Sequence, residues 1–352
     1  MFTPLSDNET HIKTLCSRLQ LGQPLESVTS LTGGFHHRVW KLPAENGCFV
    51  VKQLSADTDL SNTKTVSHYN VTETIAEKFA HCGIAAVHAL KYQGHYLQVL
   101  GNEAYLVYPW TDAVALADGE VSVHHALAVA RLLASMHEAD IDVAGVESKL
   151  SDATEKTDVE RMIQISNDVD PQMASELNAH RTLLCRIAEQ YKRAVPLLRR
   201  RQIVSHGDLD QKNVLWDADD NAVIIDWESA HKMNPTQEVT SVALEWSGIT
   251  ETFNRNTFSQ FVTAYTQSGG IITRDLFEAA LHGVLGKWLD WLMYNVGRVV
   301  NLEEARQHEL GEQQVSFILP VMVRLDELVP ALLDDLSRQS AQPTIVQTQV
   351  KT

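Results

Sequence analysis

The chain has 352 residues, 44% of them hydrophobic, which is enough material for two ordinary domains or one large two-lobed body with a sizeable core. Forty-five acidic residues against 29 basic ones give a formal charge of −16. Such a surface repels nucleic acid and anionic lipid, so neither a nucleic-acid partner nor a membrane is expected. Cys16, Cys48, Cys82 and Cys185 have neither C-x-x-C spacing nor the density of a disulfide scaffold, and the opening MFTPLSDNETHIKTLC lacks the basic start and apolar run of a signal peptide. A reducing, cytoplasmic setting is therefore expected. The 15 histidines form no H-E-x-x-H or Cys/His cluster, which argues against structural zinc.

The first hundred or so residues read as strands with one helix. TSLTGGFHHRVWKL is an apolar strand interrupted by Gly33 and Gly34, PAENG is a turn, and CFVVKQL is a β-rich run carrying Lys52. From Asn62 to Cys82 the apolar positions Val66, Tyr69, Ile75 and Phe79 recur at mostly helical spacing, with Gly83 where a C-terminal cap belongs. HYLQVL and AYLVYPW make a second hairpin turning at GNE, and Pro109 ends it. Helical periodicity then dominates, in HHALAVARLLASMHEA and across 155–198, 252–268, 274–300 and 312–337. Within it, VLW, the turn DADDN and AVIID form a short hairpin. The expected class is α+β, with a small β-rich N-terminal lobe (1–108), a hinge (109–113), a larger mainly helical lobe (114–338) and a disordered tail (339–352).

The segment IVSHGDLDQKNVLWDADDNAVIIDWE holds the most specific chemistry. Asp208 in His206-Gly207-Asp208 is followed after five residues by Asn213, and Asp226 lies thirteen residues further on. Phosphoryl transfer needs a carboxylate beside the attacking hydroxyl, oxygen ligands for magnesium and a cation on the nucleotide phosphates. Asp208 as catalytic base, with Asn213 and Asp226 on Mg2+, meets the first two needs, because the hairpin returns Asp226 beside Asn213. H-G-D-x-x-x-x-N arises by chance in on the order of one chain in several hundred or fewer of this length. Upstream, Gly33 and Gly34 allow backbone N–H groups close to phosphates, and Lys52 stands on the next strand. Each of these is weak alone, but their order along the chain is that of a kinase.

LTGGF, VVKQL, HGDLDQKNVL and IIDWE resemble the aminoglycoside phosphotransferase and choline kinase-like family, small-molecule relatives of the protein kinases, from about residue 27 to about 300. The resemblance implies a protein-kinase-like fold, with ATP or another nucleoside triphosphate and Mg2+ as cofactors. It implies that Lys52 holds the α- and β-phosphates, that His206 shapes the catalytic loop, and that a carboxylate on the 62–82 helix partners Lys52. Glu73 and Glu77 both qualify, and Glu73 is preferred for its distance from Gly83. In LVYPWTD, which resembles the family's adenine-binding linker, Pro109 has no N–H, so the Tyr108 carbonyl and the Trp110 N–H are the expected adenine contacts. His36 and His37 replace small polar residues usual in the family, and are expected as exposed turn residues rather than phosphate ligands. Glu238, in NPTQEV, is expected to replace an Asp that commonly follows the I-D-W-E strand.

The acceptor is expected to be a small molecule bearing a hydroxyl: an aminoglycoside-like sugar, an amino alcohol or another metabolite. Trp288, Trp291, Asn295 and Arg298 recur at helical steps of three and four, a stripe that either lines an acceptor pocket or packs in the core. Glu238, Glu245 and Asp290 could face a cationic acceptor. A protein-kinase activity is disfavoured because neither D-F-G nor A-P-E occurs and H-G-D replaces H-R-D. The competing reading is a catalytically inactive nucleotide-binding or regulatory protein on the same fold.

Overall fold

The computed structural model describes residues 5–31, 37–117, 119–148, 150, 153–300 and 305–339. The chain divides into two compact units. The first comprises Met1–Ala117, Ile141–Val146 and His206–His231, and the second Asp118–Asp140, Glu147–Ser205 and Lys232–Thr352.

The first unit opens with helix α1 (Leu5–Leu19) and continues through strands β1 (Thr29–Leu31), β2 (Arg38–Ala44) and β3 (Gly47–Gln53), helix α2 (Thr63–His81), and strands β4 (Gln98–Leu100) and β5 (Glu103–Pro109). The five strands form one antiparallel sheet in the order β1-β2-β3-β5-β4. Alternation along each strand sorts side chains onto two faces. Val51, Tyr105 and Val107 join Ile12, Leu15 and Cys16 of α1 in one core cluster. Ala104 and Leu106 turn to the other face, where Val66 and Tyr69 of α2 pack beside Leu54 and Tyr108. Lys52, next to Val51, therefore falls on the α2 face. Asn62 caps α2 by accepting the Lys64 N–H, and Gly83 follows its end with φ +85°, a conformation that glycine adopts without strain.

Two expectations change here. The N-terminal region contains α1 as a second helix, which supplies the apolar lid for the sheet face opposite α2. The proposed boundary at 109–113 also does not divide the compact units, because the hairpin of Val214–Trp216 and Ala222–Ile224 belongs with the N-terminal sheet unit. Backbone bonds attach it there: Val87 N–H donates to the Ile224 carbonyl at 2.9 Å and Ile224 N–H to that of Ala85 at 2.8 Å.

The second unit is dominated by helices α3 (Val123–Ala139), α4 (Lys156–Val169), α5 (Pro171–Ala179), α6 (Arg181–Leu198), α7 (Pro235–Glu245), α8 (Arg255–Gln267), α9 (Phe277–Val300) and α10 (Ala305–Gln339). The apolar period over 155–198 is thus three helices, broken where Asp170 caps a new helix with Pro171 at its first position. Helix α10 runs longer than the 312–337 period and contains Pro320 and Pro330. Of the expected tail, Gln339 ends α10 and the remainder lies outside the described residues. Helices α6 and α9 pack closely: a side-chain carbon at Gly286 would fall on the ring of Tyr191. No described helix is long and apolar enough to cross a membrane.

Candidate active site

The H-G-D loop is built around a glycine. Gly207 has φ +78°, and a Cβ there would stand 2.6 Å from the Ser229 carbonyl oxygen and 2.7 Å from His231 Nδ1. His206 is fully buried, edge-on to the Trp227 indole with ring centroids 4.7 Å apart. Its Nε2 lies 3.0 Å from the Ile225 carbonyl oxygen, so this ring nitrogen donates, while Nδ1 accepts the Asp208 N–H at 3.3 Å. The imidazole is thereby a brace between the loop and the strand leading to Asp226.

Asn213 returns to the loop through its amide. Nδ2 donates to the Asp208 carbonyl oxygen at 2.8 Å and to Asp208 Oδ2 at 2.9 Å. Both partners are acceptors, so the amide orientation is fixed and Oδ1 is turned away from Asp208. Lys212 Nζ also addresses Oδ2 of Asp208, at 3.5 Å, and bonds Asp210 at 2.6 Å. Burial and the neighbouring Asp208 charge raise the Asp210 pKa. The Ile225 N–H donates to the Asn213 carbonyl at 3.0 Å, holding the two hairpin strands in register next to Asp226.

Asp226 has φ 61° and ψ 63°, a left-handed conformation that costs a non-glycine residue of order 1 kcal/mol or more. The twist sends its carboxylate to Lys52, whose Nζ donates to Asp226 Oδ1 at 2.7 Å and to Glu228 Oε2 at 2.9 Å. Lys52 is only 8% exposed. Burial alone would lower its pKa, but the two carboxylates outweigh that and raise it.

Residues 27–277 match the model of a phosphotransferase enzyme family, the one that contains the aminoglycoside phosphotransferases. The chain belongs to this family. No curated protein matches it by sequence. Among solved structures it is similar to a spectinomycin phosphotransferase determined with ADP and spectinomycin, at 12% identity and TM-score 0.67, covering 91% of this chain and 98% of that one. An amicoumacin kinase in complex with AMP-PNP, Ca2+ and amicoumacin matches at 12% identity and TM-score 0.61, over 88% and 93% of the chains. A choline kinase from Streptococcus pneumoniae matches at 15% and 0.56, over 88% and 99%. These likenesses give the phosphotransferase a kinase-like fold, with a small β-sheet N-terminal lobe and a larger helical C-terminal part.

Several expectations for this phosphotransferase need correction. Glu73 does not pair with Lys52. It is buried at 2% exposure, with Oε2 accepting the Ala89 N–H at 2.7 Å and Oε1 accepting the Tyr108 hydroxyl at 2.8 Å. Burial pushes its carboxyl up to about 7, although both bonds pull the other way. Glu77 instead bonds Lys91 at 2.6 Å and the Tyr96 hydroxyl at 2.9 Å. The Trp110 N–H already donates to the Cys48 carbonyl at 3.0 Å, so the backbone does not offer it to adenine, and the Trp110 ring lies under Lys41 Nζ at 4.0 Å. His37 is no exposed turn residue: its Nε2 is 3.2 Å from Glu228 Oε2. Gly33, Gly34 and His36 lie outside the described residues.

The acceptor candidates scatter. Glu238 is 1% exposed and bonds His137 Nε2 at 2.9 Å, whose Nδ1 meets the Tyr265 hydroxyl at 2.7 Å, so it is part of a helical core. Asn295 is fully buried between the Trp291 carbonyl, to which it donates at 2.8 Å, and Arg298, which donates to it at 3.0 Å. Asp290 accepts the Thr154 N–H at 2.8 Å. Trp288 is half-buried against Phe317, while Trp291 is exposed and stacks on Tyr294. One face of α9 is therefore split between core and surface rather than forming a single lining.

Sequence reasoning passed over three contributors: Glu228, His37 and the Tyr108 side chain. The signal for Glu228 was present, two residues past Asp226 in I-D-W-E, and alternation in β5 places Tyr108 on the α2 face with Leu106. His37 carried no local signal, because its partner is 191 residues away.

Proposed function

We propose that the protein transfers the γ-phosphate of a nucleoside triphosphate to a hydroxyl of a small molecule, with Asp208 as general base. The observation that carries this is the clamp on Asp208. Asn213 and Lys212 both address Oδ2, leaving Oδ1 as the oxygen to which an acceptor hydroxyl can hydrogen-bond and give its proton. Lys52 supplies the buried cation for the nucleotide phosphates. Family membership supports phosphotransfer, and the similarity to kinases of spectinomycin, amicoumacin and choline is in keeping with a small hydroxylated acceptor.

The donor set fits a divalent cation. Asn213 Oδ1 is turned away from its amide's partners, and Asp226 keeps 34% of its side chain exposed beside Lys52. These are hard oxygen donors suited to Mg2+. Among the described residues no group of three or more His, Cys, Asp or Glu is gathered that could hold a metal; Mg2+ is commonly held by one or two carboxylates together with substrate phosphates and water. Asn213 and Asp226 would hold such a cation, which would supply positive charge to offset that of the phosphates. The protein's own part is to aim the hydroxyl with Asp208, to seat the phosphates with Lys52 and to brace both through His206 and Asn213. The free Cys16, Cys48, Cys82 and Cys185 are in keeping with a reducing, cytoplasmic setting.

The test is ADP release from ATP and Mg2+ over a panel of aminoglycosides, other hydroxylated antibiotics, amino alcohols and sugars, beside Asp208→Ala. Acceptor-dependent release that disappears in the variant is the expected result. Nucleotide binding without turnover on any acceptor, identical in both proteins, would instead indicate a nucleotide-binding protein without catalysis.

A further inference from the structure

We propose that Glu228, held by His37, is the carboxylate that positions Lys52, the part expected of Glu73 on helix α2. This rests on the reading of Lys52 as the phosphate-binding cation. Glu228 Oε2 receives Lys52 Nζ at 2.9 Å and His37 Nε2 at 3.2 Å, so one oxygen serves both. The Ser55 N–H donates to His37 Nδ1 at 3.0 Å, which makes Nε2 the protonated nitrogen and points its N–H at Glu228. The other end of the residue is tied as well, since the Glu228 carbonyl accepts from His68 Nε2 at 2.9 Å, and His68 lies on α2. Helix α2 thus reaches the site through a histidine and the Glu228 backbone.

Glu73 is engaged elsewhere. Both of its oxygens carry neutral donors, the Ala89 amide and the Tyr108 hydroxyl, and its burial favours the protonated form. A carboxyl in that state is a poor counter-ion for an ammonium. Glu73 therefore ties α2 to the start of the hinge, and Glu228 seats the lysine. Asp226 also bonds Lys52, but it is the proposed cation ligand and would share its charge with a bound cation. Glu228 gives one oxygen to both Lys52 and His37, and its chain position, two residues beyond the left-handed Asp226, fixes its reach.

Two readouts distinguish this from a merely structural role. The first needs no turnover: the rate of acetylation of Lys52 in the nucleotide-free protein, followed by mass spectrometry, reports how firmly its carboxylate partners engage the lysine amine. Glu228→Gln is expected to label Lys52 about tenfold faster than wild type, the size of one lost charge-assisted bond, and Glu73→Gln to change it less. The second is the split of kinetic constants, in which Glu228→Gln raises the nucleotide KM more than it lowers kcat, while Glu73→Gln does not. If Glu228→Gln does not fold, His37→Gln loosens the same carboxylate and shifts labelling in the same direction by less. Lys52 labelling unchanged in Glu228→Gln, or faster in Glu73→Gln than in Glu228→Gln, would overturn the assignment. Asp208→Asn in the same series separates the two ideas: no acceptor-dependent turnover in wild type defeats the phosphotransfer reading and turnover surviving in Asp208→Asn defeats Asp208 as its base, whereas the labelling order decides the partner of Lys52 independently.

Discussion

Two acidic clusters in the molecule treat their carboxylates in opposite ways. Around Lys52, Asp226 and Glu228 each keep about a third of the side chain exposed, although the lysine between them is almost buried. Around His137, Glu238 is 2% exposed at its side chain, and Glu238, His137 and Tyr265 form a buried relay. The first cluster keeps acceptor capacity directed outward, and its geometry is strained at Asp226. The second has its carboxylate enclosed among buried partners. Open coordination with backbone strain marks the site; a closed network marks the core.

This comparison can be broken from either side. The largest effect belongs to the open side: Asp208→Asn should lower kcat by about 10²–10⁴-fold, measured by coupled ADP release, with little change in Tm because the Asp208 side chain is 41% exposed. On the closed side, Glu238→Ala should lower stability by about 3 kcal/mol, read from urea unfolding, since it leaves His137 buried without its carboxylate partner. Gly207→Ala tests the loop that joins strain to chemistry, and should cost about 2–4 kcal/mol through the Ser229 clash and the positive φ. The smallest effect concerns Glu73. Its folded-state pKa of about 7 lies above the ordinary glutamate value of 4.5, so the folded protein holds the extra proton between those pH values. Stability attributable to this group therefore falls as pH rises from about 4.5 to 7. Glu73→Gln should flatten that part of the stability profile, and an unchanged slope would place the buried charge elsewhere.

The sheet, helix α2 and the H-G-D hairpin were legible because alternation, capping and turn residues are local signals, and because Asp208, Asn213 and Asp226 are linked by a hairpin of known length. Helix α1 was harder to see, since its apolar positions have meaning only once the sheet face they cover exists. The partner of Lys52 was illegible for a related reason. Glu73 has the right spacing on the right helix, but the sequence does not show that Ala89 and Tyr108 occupy its oxygens, nor that His37 reaches Glu228 across 191 residues. The α9 stripe failed differently: steps of three and four bring Trp291, Asn295 and Arg298 to one side of the helix, yet neighbouring helices decide which of them is buried.

The central claim is that the open cluster around Lys52 is a nucleotide and cation site. Calorimetric titration with a non-hydrolysable ATP analogue, with and without Mg2+, tests it in wild type and in Asp226→Asn. The account predicts that Mg2+ tightens binding in wild type and that Asp226→Asn loses most of this gain, by about tenfold or more. Binding that ignores Mg2+ in both proteins, or the absence of nucleotide binding in wild type, would contradict it.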